Sequence, residues 1–246
     1  MSLAIEAALG THVGLKRKRN EDSGYVGRRL LAVADGLGGH AAGDVASTTV
    51  IDTLKRHDRE VAPEDLATTL GHAIFDAGDA LRARAAGDPS VTGMGTTLVA
   101  VLWSGNRAVF ANVGDSRIYR LRDGQLLGFS EDHVYERLVF DAGTVPDLPP
   151  KLARFLDGRA DGRSPDLTVR ELKAGDRLLL CSDGLSGVVD QEDIRDILAS
   201  VNDPNETVNR LVQATLARGA PDNVTAIVAD IQSNQNSNCR SADADE

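Results

Sequence analysis

Five short acidic motifs hold the residues of this chain best suited to chemistry: Asn20-Glu21-Asp22, Asp35-Gly36, Gly114-Asp115-Ser116-Arg117, Cys181-Ser182-Asp183-Gly184 and Asp222-Asn223. Singly, Asp-Gly and Asp-Asn are ordinary turn dipeptides. Together they say more. Four of the motifs sit at an end of a strand-like run, where a sheet presents side chains at its rim, and the Gly114–Arg117 motif lies between two such runs. Carboxylates gathered on one rim repel one another unless a cation neutralises them. An oxygen-only ligand set favours Mg2+ or Mn2+ over softer metals, and no Cys/His group has zinc-ligand spacing. Two such ions could share a water, lower its pKa toward neutrality, and stabilise both the entering and the leaving oxygen of a displacement. That is equipment for hydrolysing a phosphate ester, among the slowest of uncatalysed reactions.

The elements that must position these acids are legible in outline. Strand-like runs cover 30–34, 96–103, 107–113, 117–121, 177–181 and 224–231, several rich in Val, Leu and Ile and bounded by Gly, Asn or Asp. Ser104-Gly105-Asn106 and Arg122-Asp123-Gly124-Gln125 read as hairpin turns. Apolar spacing of three and four predicts helices from about Asp44 to His57, and from Pro63-Glu64-Asp65 through Leu81. Two more are predicted at 191–200 and 206–218. Strands in antiparallel-looking series, with helices in separate blocks, argue for an α+β fold rather than an alternating parallel one.

The chain has 246 residues, which suits one large domain over 1–232. Residues 233–246 are polar and read as a disordered tail, and about 132–166, rich in Pro and Gly, as a mobile flap. With 41% apolar but only 4% aromatic residues, aliphatic side chains must fill the core. The net charge of −10 argues against a nucleic-acid partner, so Lys16-Arg17-Lys18-Arg19 is a local basic run on an acidic protein. Cys181 and Cys239 do not read as a disulfide framework, which fits a reducing compartment. No apolar stretch is long enough to insert in a membrane, and the acidic Glu6 and lack of a basic leader argue against a signal peptide. The expected setting is the cytoplasm.

In order along the chain, seven segments resemble the bacterial, compact form of the metal-dependent protein phosphatases of the 2C family. They are 17–22 (Arg-Lys-Arg-Asn-Glu-Asp), 35–40 (Asp-Gly-Leu-Gly-Gly-His), 93–97 (Gly-Met-Gly-Thr-Thr), 112–117 (Asn-Val-Gly-Asp-Ser-Arg), 130–133 (Ser-Glu-Asp-His), 181–185 (Cys-Ser-Asp-Gly-Leu) and 221–225 (Pro-Asp-Asn-Val-Thr). One such motif is weak, but seven in order are specific.

The resemblance implies a four-layer α-β-β-α sandwich of two antiparallel sheets flanked by helices. It implies a centre of two Mn2+ or Mg2+ ions that hydrolyses phosphoserine and phosphothreonine on proteins through a water shared by the metals. By position, Asp35 is the bridging carboxylate and the Gly36 carbonyl a further ligand. Asp183 and Asp222 ligate the first metal, while Glu21 and Asp22 act indirectly, through bound water. A third, weaker metal involves Asp115 together with Asp183. Arg17 matches the arginine that grips the substrate phosphate, a task suited to the two parallel donors of a guanidinium. The implied partners are phosphoprotein substrates and a cognate Ser/Thr kinase, with the chain a monomer. The alternative is a catalytically weak relative that binds phosphoproteins or serves as a scaffold. The retained Asp35, Asp183 and Asp222 argue against it.

The chain departs from the family pattern in three places. Many eukaryotic relatives have a histidine two residues after the bridging Asp, and here that residue is Leu37. His40 reads as a packing or capping residue at a helix start; His12, His57, His72 and His133 show no catalytic spacing, and His133 is placed to support the flap. The flap, Val145 to Gly158, is less basic than its counterparts, and Gly187 stands where some relatives have another acid.

Overall fold

The computed structural model describes residues 3–37, 42–134, 152–159 and 164–233. Eleven strands form two antiparallel sheets. The first sheet runs in the order β1 (Leu3–His12), β11 (Val224–Ser233), β10 (Arg177–Cys181), β7 (Arg117–Arg122), β8 (Gln125–Gly128). The second runs β2 (Asp22–Val26), β3 (Leu30–Leu37), β5 (Leu98–Ser104), β6 (Arg107–Val113), β9 (Asp166–Glu171), with the short β4 (Gly95–Thr96) also on β3.

The alternation of side chains along each strand explains the four layers. In β3, Leu31 and Val33 point between the sheets, where they join Val99, Val101, Phe110, Leu178, Leu180 and Ile227. Leu30, Ala32 and Ala34 point the other way, into the stripes of α1 (Gly43–Lys55) and α2 (Leu66–Gly87). On the outside of the first sheet, Leu179, Cys181 and Val228 meet α3 (Asp183–Ser186), α4 (Gln191–Ser200) and α5 (Pro204–Ala217). A strand buried on both faces must be apolar at every position, which is why these central strands read as unbroken Val/Leu/Ala runs.

All six expected strand runs are present. The run 96–103 is split at Thr97 into β4 and β5, because β4 pairs with the end of β3 at Gly36 and Leu37. Asp35 and Gly36 therefore lie inside β3 rather than beyond its end, as the sequence had suggested. The four central helices are found, with α2 proper starting at Leu66 after a turn at 63–65. The Asp123-Gly124 turn has both residues at positive φ, 51° and 74°, which matches the right-handed twist of the hairpin β7–β8.

Strands β1, β8 and β9 were not anticipated, and β2 was expected only as the strand that Asn20-Glu21-Asp22 precedes. They are edge or near-edge elements with one wet face, so their residues are mixed, as in Asp166-Leu167-Thr168-Val169-Arg170-Glu171. The expected tail boundary falls one residue early, since Ser233 still pairs with Leu3 in the β1–β11 ladder. Residues 234–246 and most of the flap, 135–151 and 160–163, lie outside the described residues, as does His40.

Leu180 is fully buried between the sheets, on the strand that leads to Asp183. Leu180→Ala should lower the free energy of unfolding by about 2–5 kcal/mol, measured by urea denaturation. A smaller loss would mean that the inter-sheet core can close around the gap.

Candidate active site

All five acidic motifs reach one rim of the sandwich, and each sheet contributes. Asp22 opens β2 and stands directly opposite Asp35 of β3 in the ladder register. From the other sheet, Asp183 follows β10 and Asp222 precedes β11, neighbouring strands. Asp115 lies on the loop that crosses from β6 in one sheet to β7 in the other. A cleft of about 370 Å³ is lined by Arg17, Glu21, Asp35, Gly36, Asp115, Asp183 and Asp222, with Leu37, Leu152 and Asn223 completing it. Asp22 lies just behind this surface, its carboxylate held by the Ser182 hydroxyl at 2.8 Å.

Hydroxyl and amide side chains fix the backbone that carries the acids. Thr96 Oγ1 and Thr97 N both donate to the Asp35 carbonyl at 2.8 Å, and Asp35 N donates to Thr97 Oγ1 at 3.1 Å. Thr97 Oγ1 in turn bonds Ser116 Oγ at 2.7 Å, so the loops of Asp35 and Asp115 share one hydroxyl. Asn223 Oδ1 accepts from Glu21 N, and its Nδ2 donates to the carbonyls of Val13 and Arg19, each at 2.8 Å. One amide thereby fastens the basic run to the start of β11. Ser182 N donates to Thr225 O, and Thr225 N returns a bond to Ser182 Oγ, both at 3.0 Å.

Close approach requires two glycines here. A Cβ on Gly36 would come within 2.1 Å of Gly43 O, and one on Gly184 within 1.8 Å of Asn223 O. Sequence reasoning had these threonines, Ser182 and Asn223 inside the motifs but gave them no part. The usable signal was their position beside the acids, since a hydroxyl or amide adjoining a rim carboxylate is free to tie the next strand.

The electrostatics are those of a crowded anionic site. Burial raises the pKa of Asp35 well above the carboxylate range, and Asp22 and Asp183 push it further. Burial likewise raises Asp183, with Asp222 adding to it. Asp22 is pushed up to about 6, by burial first, and Asp115 to about 7, by burial and then by Asp183. Glu21 is raised by burial as well. Asp35 and Asp183 stand side chain to side chain, and this contact adds to the upward shift of Asp35. Burial opposes the charge on Arg17, but Asp222, Glu21 and Asp35 together hold its pKa above the ordinary value. Arg17 Nη2 donates to Asp222 Oδ2 at 2.6 Å across a largely exposed gap.

This donor set fits a hard divalent cation. Every side chain that could ligate is a carboxylate, and Asp22 Oδ1 is buried with no hydrogen-bond partner. Among the described residues, no three of these groups already converge on one point as a closed ligand cage. Asp35 and Asp183 turn to each other instead, and Asp222 turns to Arg17. A cation would supply the neutralising charge that the guanidinium now gives Asp222.

Leu37 lines the cleft where a histidine had been considered, and among the described residues no histidine lines it. His12 Nδ1 accepts from Gly14 N at 2.9 Å, and His57 Nε2 lies 3.2 Å from Asp76. His133 is buried, and it bonds both Gly114 and Asp166. Next to it, Asp132 receives two bonds from Arg117, at 3.0 and 2.8 Å. The 130–133 segment is thus bound to the loop that carries Asp115.

A family model described as Protein phosphatase 2C matches residues 17–219, and the chain belongs to that family. It is 42% identical over 238 residues to the serine/threonine protein phosphatase PstP of Mycobacterium tuberculosis, covering 94% of this chain and 46% of that protein. The chain therefore spans about half the length of that relative. It is 32% identical over 244 residues to the serine/threonine phosphatase stp of Listeria welshimeri, covering 92% of this chain and 96% of that one. The solved catalytic domain of PstP in complex with two manganese ions superposes with a TM-score of 0.86 at 42% identity, covering 94% of this chain and 100% of that one. The expected two-sheet sandwich of the family is the fold observed.

Carboxyl groups whose pKa rises on folding hold their protons more tightly in the folded state. The stability they contribute is therefore full below the unfolded value of about 3.9 and is lost as pH rises through the folded values, about 6 for Asp22 and about 7 for Asp115. In chelator, the melting temperature should fall as pH is raised from about 5 to about 7.5, and Mn2+ should restore most at the upper end. A melting temperature that stays level or climbs across this window, measured by differential scanning fluorimetry, would show that these acids are not buried as a set.

Proposed function

We propose that this chain is a metal-dependent protein phosphatase that removes phosphate from phosphoserine and phosphothreonine. The observation that carries the reading is the rim where Asp35, Asp115, Asp183 and Asp222 gather from both sheets beside one arginine. Membership of the protein phosphatase 2C family supports it. The PstP catalytic domain with two manganese ions supports a cofactor of two Mn2+ or Mg2+ ions, to which this reading adds a weaker third.

In this reading Asp35 would serve both core ions and the Gly36 carbonyl would add a further ligand. Asp183 and Asp222 would hold the first ion, Glu21 and Asp22 would act indirectly, and Asp115 with Asp183 would hold the third. The chemistry such ions supply is neutralisation of the carboxylates and activation of water as a nucleophile near neutral pH.

The chain's own contribution is to bind, orient and screen. Arg17 presents its guanidinium to the phosphoryl oxygens and exchanges Asp222 for them, since both partners offer oxygens to the same parallel donors. Thr96, Thr97 and Asn223 hold the backbone so that the acids need no reorganisation during the reaction. Leu37 offers no proton to the leaving seryl oxygen, so that proton comes from a water in the cleft, held by the metal site or drawn from solvent.

The substrates in this reading are phosphoproteins, and the chain acts as a monomer, as one domain that closes with β11 at Ser233, opposite a cognate Ser/Thr kinase in the cytoplasm. Among the described residues no helix is long and apolar enough to cross a membrane.

Hydrolysis of p-nitrophenyl phosphate should require Mn2+ and stop in chelator. Asp35→Asn should abolish turnover and weaken Mn2+ binding in calorimetry, and near-normal turnover would remove Asp35 from the bridging position. Arg17→Ala should raise KM for a phosphopeptide about tenfold or more, with a smaller effect on kcat, if the guanidinium binds ground and transition states alike. Unchanged values of both would take it out of the site.

A further inference from the structure

His133 is 5% exposed and makes bonds in opposite directions. On one side, its backbone N donates to Gly114 O at 2.9 Å, and its Nδ1 accepts from Gly114 N at 3.1 Å. Both backbone groups of the residue before Asp115 are thus held by one residue. Gly114 sits at φ +113°, and a Cβ there would lie 2.7 Å from Thr97. The loop conformation is one that few residues could adopt, and His133 holds it in place.

On the other side, Nε2 lies 3.0 Å from Asp166 Oδ2. Because Nδ1 is used as an acceptor, the ring proton sits on Nε2 and is donated to Asp166. Asp166 opens β9 and also accepts from Arg154 Nη1 at 2.9 Å. The His133 carbonyl accepts from Ala153 N at 2.7 Å. His133 therefore stands where the chain before the flap, the segment returning from it and the edge of the second sheet all meet the Asp115 loop.

We propose that His133 is a positioning residue that transmits the placement of residues 152–154 and Asp166 to the loop bearing Asp115. It touches neither substrate nor reacting atoms. It fixes the backbone ahead of a carboxylate whose position decides how the rim holds metal, and in that catalytic consequence the proposal rests on the phosphatase reading.

The test uses three variants of the full chain. Asn places Oδ1 where His carries Nδ1, so His133→Asn keeps the acceptor for Gly114 N. Gln reaches instead toward the Nε2 position, so His133→Gln withdraws that acceptor and keeps a donor toward Asp166. Asp166→Ala cuts the link on the far side at an exposed strand residue and leaves its backbone pairing with Asn112 in the β6–β9 ladder in place.

Amide hydrogen exchange by mass spectrometry, on metal-free protein, should speed up about tenfold or more across 112–117 in His133→Gln, the size expected when a buried donor loses its acceptor. His133→Asn and Asp166→Ala both keep the acceptor for Gly114 N and lose the Nε2–Asp166 link, so both should raise exchange over the same peptide, and by less than His133→Gln does. With p-nitrophenyl phosphate, His133→Gln should need several-fold more Mn2+ for half-maximal rate while KM stays within about twofold of wild type.

Wild-type exchange over 112–117 in either His133→Gln or Asp166→Ala overturns the proposal, and Asp166→Ala alone decides it should His133→Gln not fold. If the wild-type protein shows no Mn2+-dependent hydrolysis, the phosphatase reading fails, while the exchange result still stands or falls by itself.

Discussion

Asp22 and Asp35 face each other across the β2–β3 ladder, and Asp183 meets Asp35 from the opposite sheet. Like charges directly opposite in a ladder destabilise it, and burial makes each charge costlier still. The rest of the site is organised around that repulsion. Ser182 donates to Asp22, and Arg17 neutralises Asp222. Each of these is a substitute for positive charge. A fold that gathers acids in this way gives up stability at the rim in return for affinity toward a hard cation.

The sandwich can carry that cost because its rim is built from both sheets. The inter-sheet core of Leu31, Val33, Val101, Leu178, Leu180 and Ile227 keeps the ladders in register up to the last residues before the acids. At the rim the apolar contacts give way to hydroxyls. Thr97 and Ser116 join the Asp35 and Asp115 loops within one bond, and Ser182 with Thr225 joins β10 to the start of β11 while reaching across to Asp22. Short side chains suit this seam because they lose little rotamer freedom and satisfy backbone donors that the ladders leave open at their ends. Arg117–Asp132 and His133 then bind the same seam to the segment leading into the flap.

The acids of the rim were legible because carboxylates set beside turn residues at strand ends are a restricted pattern of residue type. Asp35, Asp115, Asp183 and Asp222 stand beside glycines, serines or asparagine at the ends of apolar runs, and the cleft collects all four. Leu37 was legible as a departure and does line the cleft. His133 was legible only in part. Support for the flap follows from its place in the chain, but its two ring nitrogens meet Gly114 and Asp166, residues far from it in sequence. Strands β1, β8 and β9 were missed for a different reason. Hydrophobic period is the main strand signal, and an edge strand with one wet face carries half of it.

By itself, the sequence determined the family, the two-sided burial of the central strands and the identity of the acids, because each depends on residue type and local order. Only the tertiary structure decided that Asp22 stands opposite Asp35, that Asp183 comes from the other sheet to meet Asp35, and that Asn223 fastens the basic run to β11. Ladder register, the crossing of the Asp115 loop between sheets and the direction of each carboxylate come from packing between residues distant in the chain. Local propensity carries no record of them, and the charge balance of the site is set by these long-range distances.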